Sequence, residues 1–265
     1  MVTIAAGDGG RKGTLCLTVD NLGDALTVGR GRAARPDPHE TSLEVGVPAF
    51  LNLFADLQLQ TTYFVEGWNA LHHCGVIETI ADAGHEIGLH GWLHENWAID
   101  LDDRAREQLL WDGTAALRLA GFDPRAFRAP GGYRGSHTLQ VLEDLGYQID
   151  SSIEPGEGSH SETLDVTFPS KAILSIPWTF DMVDYWHYVL APEESRDPEA
   201  IADYWTARVA AAAEHGELLT MIIHPFVCGV DPDRMSALRR VLERAISNPD
   251  IDVVSAGQVA ARYAR

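Results

Sequence analysis

Short runs of β-branched and large apolar residues alternate with helix-patterned stretches along most of the chain, and many of the runs stop at a polar residue. That rhythm is the signature of parallel strands joined by crossover helices. The first run, Thr14-Leu15-Cys16-Leu17-Thr18-Val19, ends at Asp20-Asn21, and the second, Thr61-Thr62-Tyr63-Phe64-Val65, is stopped by Gly67. Further strands are expected at Glu86-Ile87-Gly88-Leu89, Phe127-Arg128-Ala129-Pro130, Tyr147-Gln148-Ile149-Asp150, 173–178, 218–223 and 251–254. Periodicity predicts helices over 43–59, 76–83, 103–120, 139–145, 201–215 and 235–246. Pro48 fits the first of these only within its opening turn. Asp102 or Asp103 is the candidate N-cap of the third, and Gly84 the C-terminal cap of the second. With about seven strand–helix units, no repeat and no Pro/Gly/Ser-rich linker, the expected architecture is an α/β fold: one domain over residues 1–265, a complete or distorted β/α barrel.

In a parallel barrel the C-terminal strand ends converge on one mouth, so that is where chemistry is sought. Asp20-Asn21, His90, Arg128, Asp150 and His224 all occupy such positions. Folding alone does not ask an apolar strand to end on an ionisable residue, and helix N-caps favour Ser, Thr, Asp or Asn over His or Arg. In His90-Gly91-Trp92-Leu93-His94, two imidazoles stand four residues apart. On a helical turn both face one side, where two neutral nitrogens can bind a divalent ion if a third ligand arrives from elsewhere. With 11 histidines in the chain, chance spacing is the competing explanation. Charge narrows the partners: 20 Lys plus Arg against 39 Asp plus Glu leave a formal −19. Polyphosphates and anionic membranes are repelled, so neither nucleic acid nor a membrane is expected. The same charge favours a neutral or cationic substrate. Three scattered cysteines form no disulfide framework, and no apolar stretch of signal or membrane-spanning length is found, so a cytoplasmic location is expected.

Taken together, these blocks resemble the polysaccharide deacetylase family (the NodB homology domain) over roughly residues 14–226. Thr18-Val19-Asp20-Asn21 is similar to that family's Thr-Phe-Asp-Asp motif, and Gly84-His85-Glu86-Ile87-Gly88-Leu89-His90 through His94 to its Gly-His-Glu-Ile-Gly…His-x-x-x-His block. Arg128-Ala129-Pro130-Gly131-Gly132 resembles Arg-x-Pro-x-Gly, and Ile223-His224-Pro225 the last motif's histidine. The segment from Ile176-Pro177-Trp178 to Asp184-Tyr185-Trp186 resembles the intracellular peptidoglycan-deacetylase-like and allantoinase-like branch. The resemblance implies a distorted (β/α)7 barrel and a metal-dependent hydrolase of C–N amide bonds, in the first place an N-deacetylase of a small, amino-sugar-containing substrate. It makes Asp20 the general base, His224 the general acid, and His90 and His94 ligands of one divalent ion, expected to be zinc. Arg128 would orient Asp20, and the backbone of Gly131, Gly132 and Tyr133 would hold the oxyanion.

One departure bears on the metal. Asn21 stands where the family carries a second Asp as third ligand; an amide oxygen can coordinate but brings no charge, so affinity should fall. Asp24 is a candidate replacement ligand, and a metal-free variant is an alternative. Trp92, Asp184, Tyr185 and Trp186 are expected to bind substrate, since rings stack and carboxylates orient polar groups; core packing or an oligomer contact is the bland reading, and a homo-oligomer is expected through residues 178–188. His72-His73 reads as solvated, as does the basic stretch from Arg30 to Arg35, whose alternative is a grip on a substrate carboxylate; Cys228 reads as a small buried hydrophobe and Gly7-Asp8-Gly9-Gly10 as a flexible end. Two other functions stay open: a metal-independent cyclic amide or imide hydrolase, and a non-catalytic carbohydrate or small-molecule binding protein on the same barrel.

Overall fold

The computed structural model describes residues 12–135, 137–153 and 165–263. The expected flexible end at Gly7 to Gly10 lies outside them. The strands are β1 (Gly13–Asp20), β2 (Thr62–Val65), β3 (Glu86–Leu89), β4 (Ala126–Phe127), β5 (Ile149–Asp150), β6 (Leu174–Ser175), β7 (Leu218–Ile223) and β8 (Ile251–Val254). All pair in parallel, in the order β6-β5-β4-β3-β2-β1-β7. β1 is long enough to serve two neighbours on one side. Its Thr18–Asp20 end pairs with β2, while Gly13 to Cys16 pair with β8. Seven strands form the curled sheet and the eighth closes a corner, which is the distorted barrel expected from the sequence.

β1 and β7 are buried throughout, as strands covered on both faces must be. The two-residue period sorts their side chains. Leu15, Leu17 and Val19 join the large outer core, and Cys16 joins the inner one with Phe64, Ala126, Ile149 and Leu218. Thr18 and Asp20 share the parity of Cys16, so the last two inward positions of β1 are polar and face the barrel axis near the mouth. β6 and β7 do not pair as a ladder. An isolated bridge between Val183 and Ile222 and a hydrogen bond from Thr220 Oγ1 to the Pro177 carbonyl (2.7 Å) span the gap instead. The wall between them is therefore built on short helical turns, Phe180–Met182 and Trp186–Leu190, and that wall faces the site.

The helices are α1 (Ala25–Gly29), α2 (Val47–Leu57), α3 (Asn69–His72), α4 (Cys74–Asp82), α5 (Asp103–Leu119), α6 (Thr138–Leu145), α7 (Pro198–His215), α8 (Pro232–Ser247) and α9 (Ala256–Ala261). Pro48 lies in the opening turn of α2, where its missing N–H costs no hydrogen bond. Asp102 caps α5 by accepting from Ala105 N at 2.8 Å. The sequence pattern missed α9, a helix of six residues. Its Ala256 and Val259 plug the inner core at the end opposite the mouth, and Ser255 opens it with a reciprocal capping box. His73 corrects the solvated reading of His72-His73: it is buried and bonds Asp24, whereas His72 is exposed. Among the described residues no helix is long and apolar enough to cross a membrane.

Candidate active site

A cavity of about 230 Å³ opens at the C-terminal ends of the strands, lined at its base by Asp20, Asn21, His90, His94, Arg128 and His224. Residues more than 200 positions apart in the chain meet there because parallel strands deliver their last residues to one rim.

Asp20 is buried and accepts from Arg128 Nη1 at 2.6 Å. The guanidinium is spent on three further contacts. Nη1 also reaches Thr18 Oγ1 (2.9 Å), Nε donates to the Ser151 carbonyl (3.1 Å), and Nη2 donates to Ser151 Oγ (2.8 Å). Its carbon lies 4.3 Å from the centre of the Phe64 ring. Both hydroxyls are fixed in turn, Thr18 donating to the Met221 carbonyl and Ser151 to that of Ile176. Arg128 thus ties β1, β4, β5 and β7 to one carboxylate.

His224 is held from the other side. Asp184 accepts from its backbone N–H (2.8 Å) and from its Nδ1 (2.5 Å), which fixes the tautomer and leaves Nε2 for the cavity. Burial opposes the charged imidazolium, but the charge and hydrogen bond of Asp184, with Asp20 adding, outweigh it and raise His224 above its ordinary value. This corrects the expectation for Asp184: it is fully buried, absent from the lining, and orients the histidine without facing a substrate.

His90 donates from Nδ1 to the Arg128 carbonyl (2.8 Å), so its Nε2 carries a lone pair, 3.9 Å from Asp20 Oδ2. His94 turns back over it through a left-handed residue (φ 56°), placing the two ring centres 5.0 Å apart. Burial pushes both imidazoles down to about 3, with the neighbouring His90 contributing at His94. Asn21 is likewise left-handed (φ 60°), and its Oδ1 is buried without a hydrogen-bond partner. Two neutral imidazoles and one orphaned amide oxygen are the groups here that could hold a divalent ion. Among the described residues no set of three or more His, Cys, Asp or Glu suits one. Asp24 is not a replacement ligand. Its carboxylate is committed to His73 Nε2 (3.0 Å) and to the Asp37 N–H (2.7 Å), outside the cavity lining.

Strand-end reasoning overlooked Glu66, the residue immediately after β2. Its Oε2 accepts from Leu22 N (3.1 Å) and Asn69 Nδ2 (2.8 Å), and Asn69 also donates to the Leu22 carbonyl (2.9 Å). The two side chains clamp both peptide groups of Leu22 and so hold the preceding Asn21 in its unusual conformation. Complete burial raises Glu66 to about 8, against the lowering pull of its backbone hydrogen bonds, with Asp20 and Glu95 adding to the rise.

The rest of the lining is apolar and aromatic. Trp178, Phe180 and Trp186 form one ring cluster, with centroid distances of 5.1 and 5.3 Å, and Tyr185 packs on Phe226 and His224. Tyr185 and Trp186 line the cavity as expected; Trp178, Phe180 and Phe226 join them. Trp92 does not: it packs on the outer core and over Gly67. Gly131 and Gly132 line the base in left-handed geometry, but the Gly132 N–H is already donated to the Ala129 carbonyl (2.9 Å). Tyr133 lies outside the lining and packs with Ile153 and Trp178. Of the three residues expected to hold the oxyanion, Gly131 and Gly132 line the cavity and Tyr133 does not. Asp150 is also outside the lining, paired with Arg134 at 2.8 Å.

A profile of the polysaccharide deacetylase family matches residues 11–149, more than half of the chain. The chain belongs to the polysaccharide deacetylase family. Among curated relatives, the peptidoglycan deacetylase of Helicobacter pylori is 32% identical over 111 residues, 42% of this chain and 38% of that protein. A peptidoglycan deacetylase-like protein of Gibberella zeae is 32% identical over 145 residues, 53% and 39% of the two chains. The matches thus span well under half the length of these relatives. A Mycobacterium smegmatis structure assigned to the polysaccharide deacetylases superposes with a TM-score of 0.83 at 27% identity, covering 97% of this chain and 92% of that one. Puue allantoinase shares the fold with a TM-score of 0.77 at 20% identity, covering 96% and 91%.

Proposed function

We propose that this polysaccharide deacetylase family member hydrolyses the C–N amide bond of a small substrate, with Asp20 as base and His224 as acid. The observation that carries this reading is the pairing: Asp20 on Arg128 and His224 on Asp184 stand across one cavity, each oriented by a partner that takes no part in the cavity itself or is saturated by other bonds. In the reaction, Asp20 accepts a proton from a water whose oxygen bonds to the carbonyl carbon. The C–N bond then breaks as Nε2 of His224 donates its proton to the departing nitrogen, giving a carboxylate and an amine. The apolar lining holds the substrate and excludes competing water. His90, His94 and Asn21 would hold a divalent ion, zinc by donor type, which when bound polarises the carbonyl and acidifies the attacking water. Deacetylation, the activity named for the Helicobacter pylori relative, is the instance of this chemistry we favour.

A second reading, metal-independent opening of a cyclic amide, is favoured by one feature: the third donor is an uncharged amide, so the ligand set carries no negative charge of its own. Metal content of the purified protein, combined with acetate release from small N-acetyl compounds and ring opening of cyclic imides, separates the two. Asp20→Asn should lower turnover by about 10²–10⁴-fold while ligand still binds. Full turnover in that variant would remove Asp20 as the base.

A further inference from the structure

Arg30 lines the same cavity at its rim and, among the described residues, is the one charged side chain of the lining with neither an ion pair nor a hydrogen bond. Its position is built. A Cβ on the preceding Gly29 would stand 2.4 Å from the Leu93 carbonyl oxygen, so the end of α1 is pressed against the loop that carries His94. Arg32 and Arg35 follow within five residues and are exposed, a run of cationic residues on a chain of net charge −19. The two carboxylates of the aromatic segment point elsewhere. Asp184 is spent on His224, and Asp181 accepts from Tyr204 (2.9 Å) and Arg208 (3.0 Å). Between the catalytic base and the rim, the wall therefore offers rings and aliphatic surface, with a guanidinium fork at the outer end.

We infer that the substrate is an amide with a flat or apolar body and a carboxylate, the carboxylate being taken by Arg30 and the body lying against Trp178, Phe180 and Trp186. A guanidinium matches a carboxylate through two parallel N–H···O bonds, and rings cover an apolar body without needing hydroxyl partners. This reverses the neutral or cationic substrate suggested by net charge: Arg30 is the charged side chain at the outer end of the lining, and surface carboxylates more than a Debye length away are screened. The inference rests on the hydrolase reading only for where the scissile amide sits; the site for the anion is tested without turnover.

The test uses a matched pair, N-acetyl-phenylalanine and N-acetyl-phenylalaninamide, which differ only in carboxylate against carboxamide. Binding to the Asp20→Asn protein is followed by the fluorescence of the wall tryptophans, and the measurement is repeated with Arg30→Gln added. The expected result is about tenfold tighter binding of the carboxylate, a ratio that collapses towards one in Arg30→Gln and shrinks with added salt. No preference for the carboxylate, or a preference that survives Arg30→Gln, overturns the inference. Tighter binding of N-acetylglucosamine than of either probe also overturns it. Acetate release by the unmodified protein is scored separately, so a protein that binds the carboxylate through Arg30 and never hydrolyses it defeats the hydrolase reading and leaves this one standing.

Discussion

The floor of the cavity and its aromatic wall are built on different principles. Asp20, Arg128 and His90 sit at or just beyond the ends of β1, β4 and β3, and their side chains are bonded to backbone and hydroxyl groups of neighbouring strands. The wall comes from residues 177–190, where β6 and β7 fail to pair; its rings pack on one another and on Gly132, with one tie to the strand ends, from Trp178 Nε1 to the Ser151 carbonyl (3.0 Å). Positioning by a strand lattice suits groups that must keep sub-ångström registry for proton transfer. Positioning by ring packing suits a surface that only has to be flat and apolar. On the proposed hydrolase reading the floor carries the chemistry and the wall the choice of molecule, and different substitutions address each.

The largest effect is expected from Arg128→Ala. It leaves Asp20 buried without its cation and frees both Ser151 and Thr18, which should destabilise the fold by about 3–5 kcal/mol in urea unfolding. A loss under 1 kcal/mol would mean that the strand ends do not depend on this ion pair. Gly132→Ala attacks the joint between floor and wall. The new Cβ would stand 2.6 Å from the Trp178 ring at a residue with φ +99°, so about 2–3 kcal/mol of combined strain and overpacking is expected. KM should rise more than kcat falls, because the wall moves while the floor stays.

Glu66→Gln leaves the cavity's two faces in place and changes only how stability depends on pH. The carboxyl sits near 8 in the folded protein against an ordinary value of 4.5. Below 4.5 both folded and unfolded chains hold the proton. Between 4.5 and 8 only the folded chain does, so stability falls as pH rises across that window and is flat above it, by at most about 1.4 kcal/mol per pH unit. Glutamine can still accept from Leu22 and Asn69 through its amide oxygen but does not titrate. Melting temperatures of the variant should lose that slope, and a slope that persists would place the buried proton elsewhere.

What the sequence revealed follows the same division. Residues of the floor were legible because an inward parity along β1 and an abrupt polar end to an apolar strand are local signals, readable without knowing the neighbours. The wall was only half legible. Aromatic density around Trp178 to Trp186 marks it, but the direction of a side chain on short, isolated turns is set by tertiary contacts. Asp184 was thus placed against substrate when it binds His224, and Trp92 was placed in the cavity when it packs on the outer core. Asp24 failed for a related reason: its partner His73 is 49 positions away and was itself read as solvated. Glu66, the first residue past β2, carries the same local signal: a carboxylate ending an apolar strand.

The pH profile of Asp184→Asn tests most directly whether Asp20 and His224 act as opposed base and acid. In the unmodified protein His224 is raised by Asp184 against the pull of burial. A neutral asparagine leaves burial dominant, so the imidazolium should deprotonate at lower pH. The alkaline limb of kcat/KM for amide hydrolysis should then move to lower pH, with the acid limb in place. An alkaline limb that stays where it was would contradict the assignment of His224 as the proton donor.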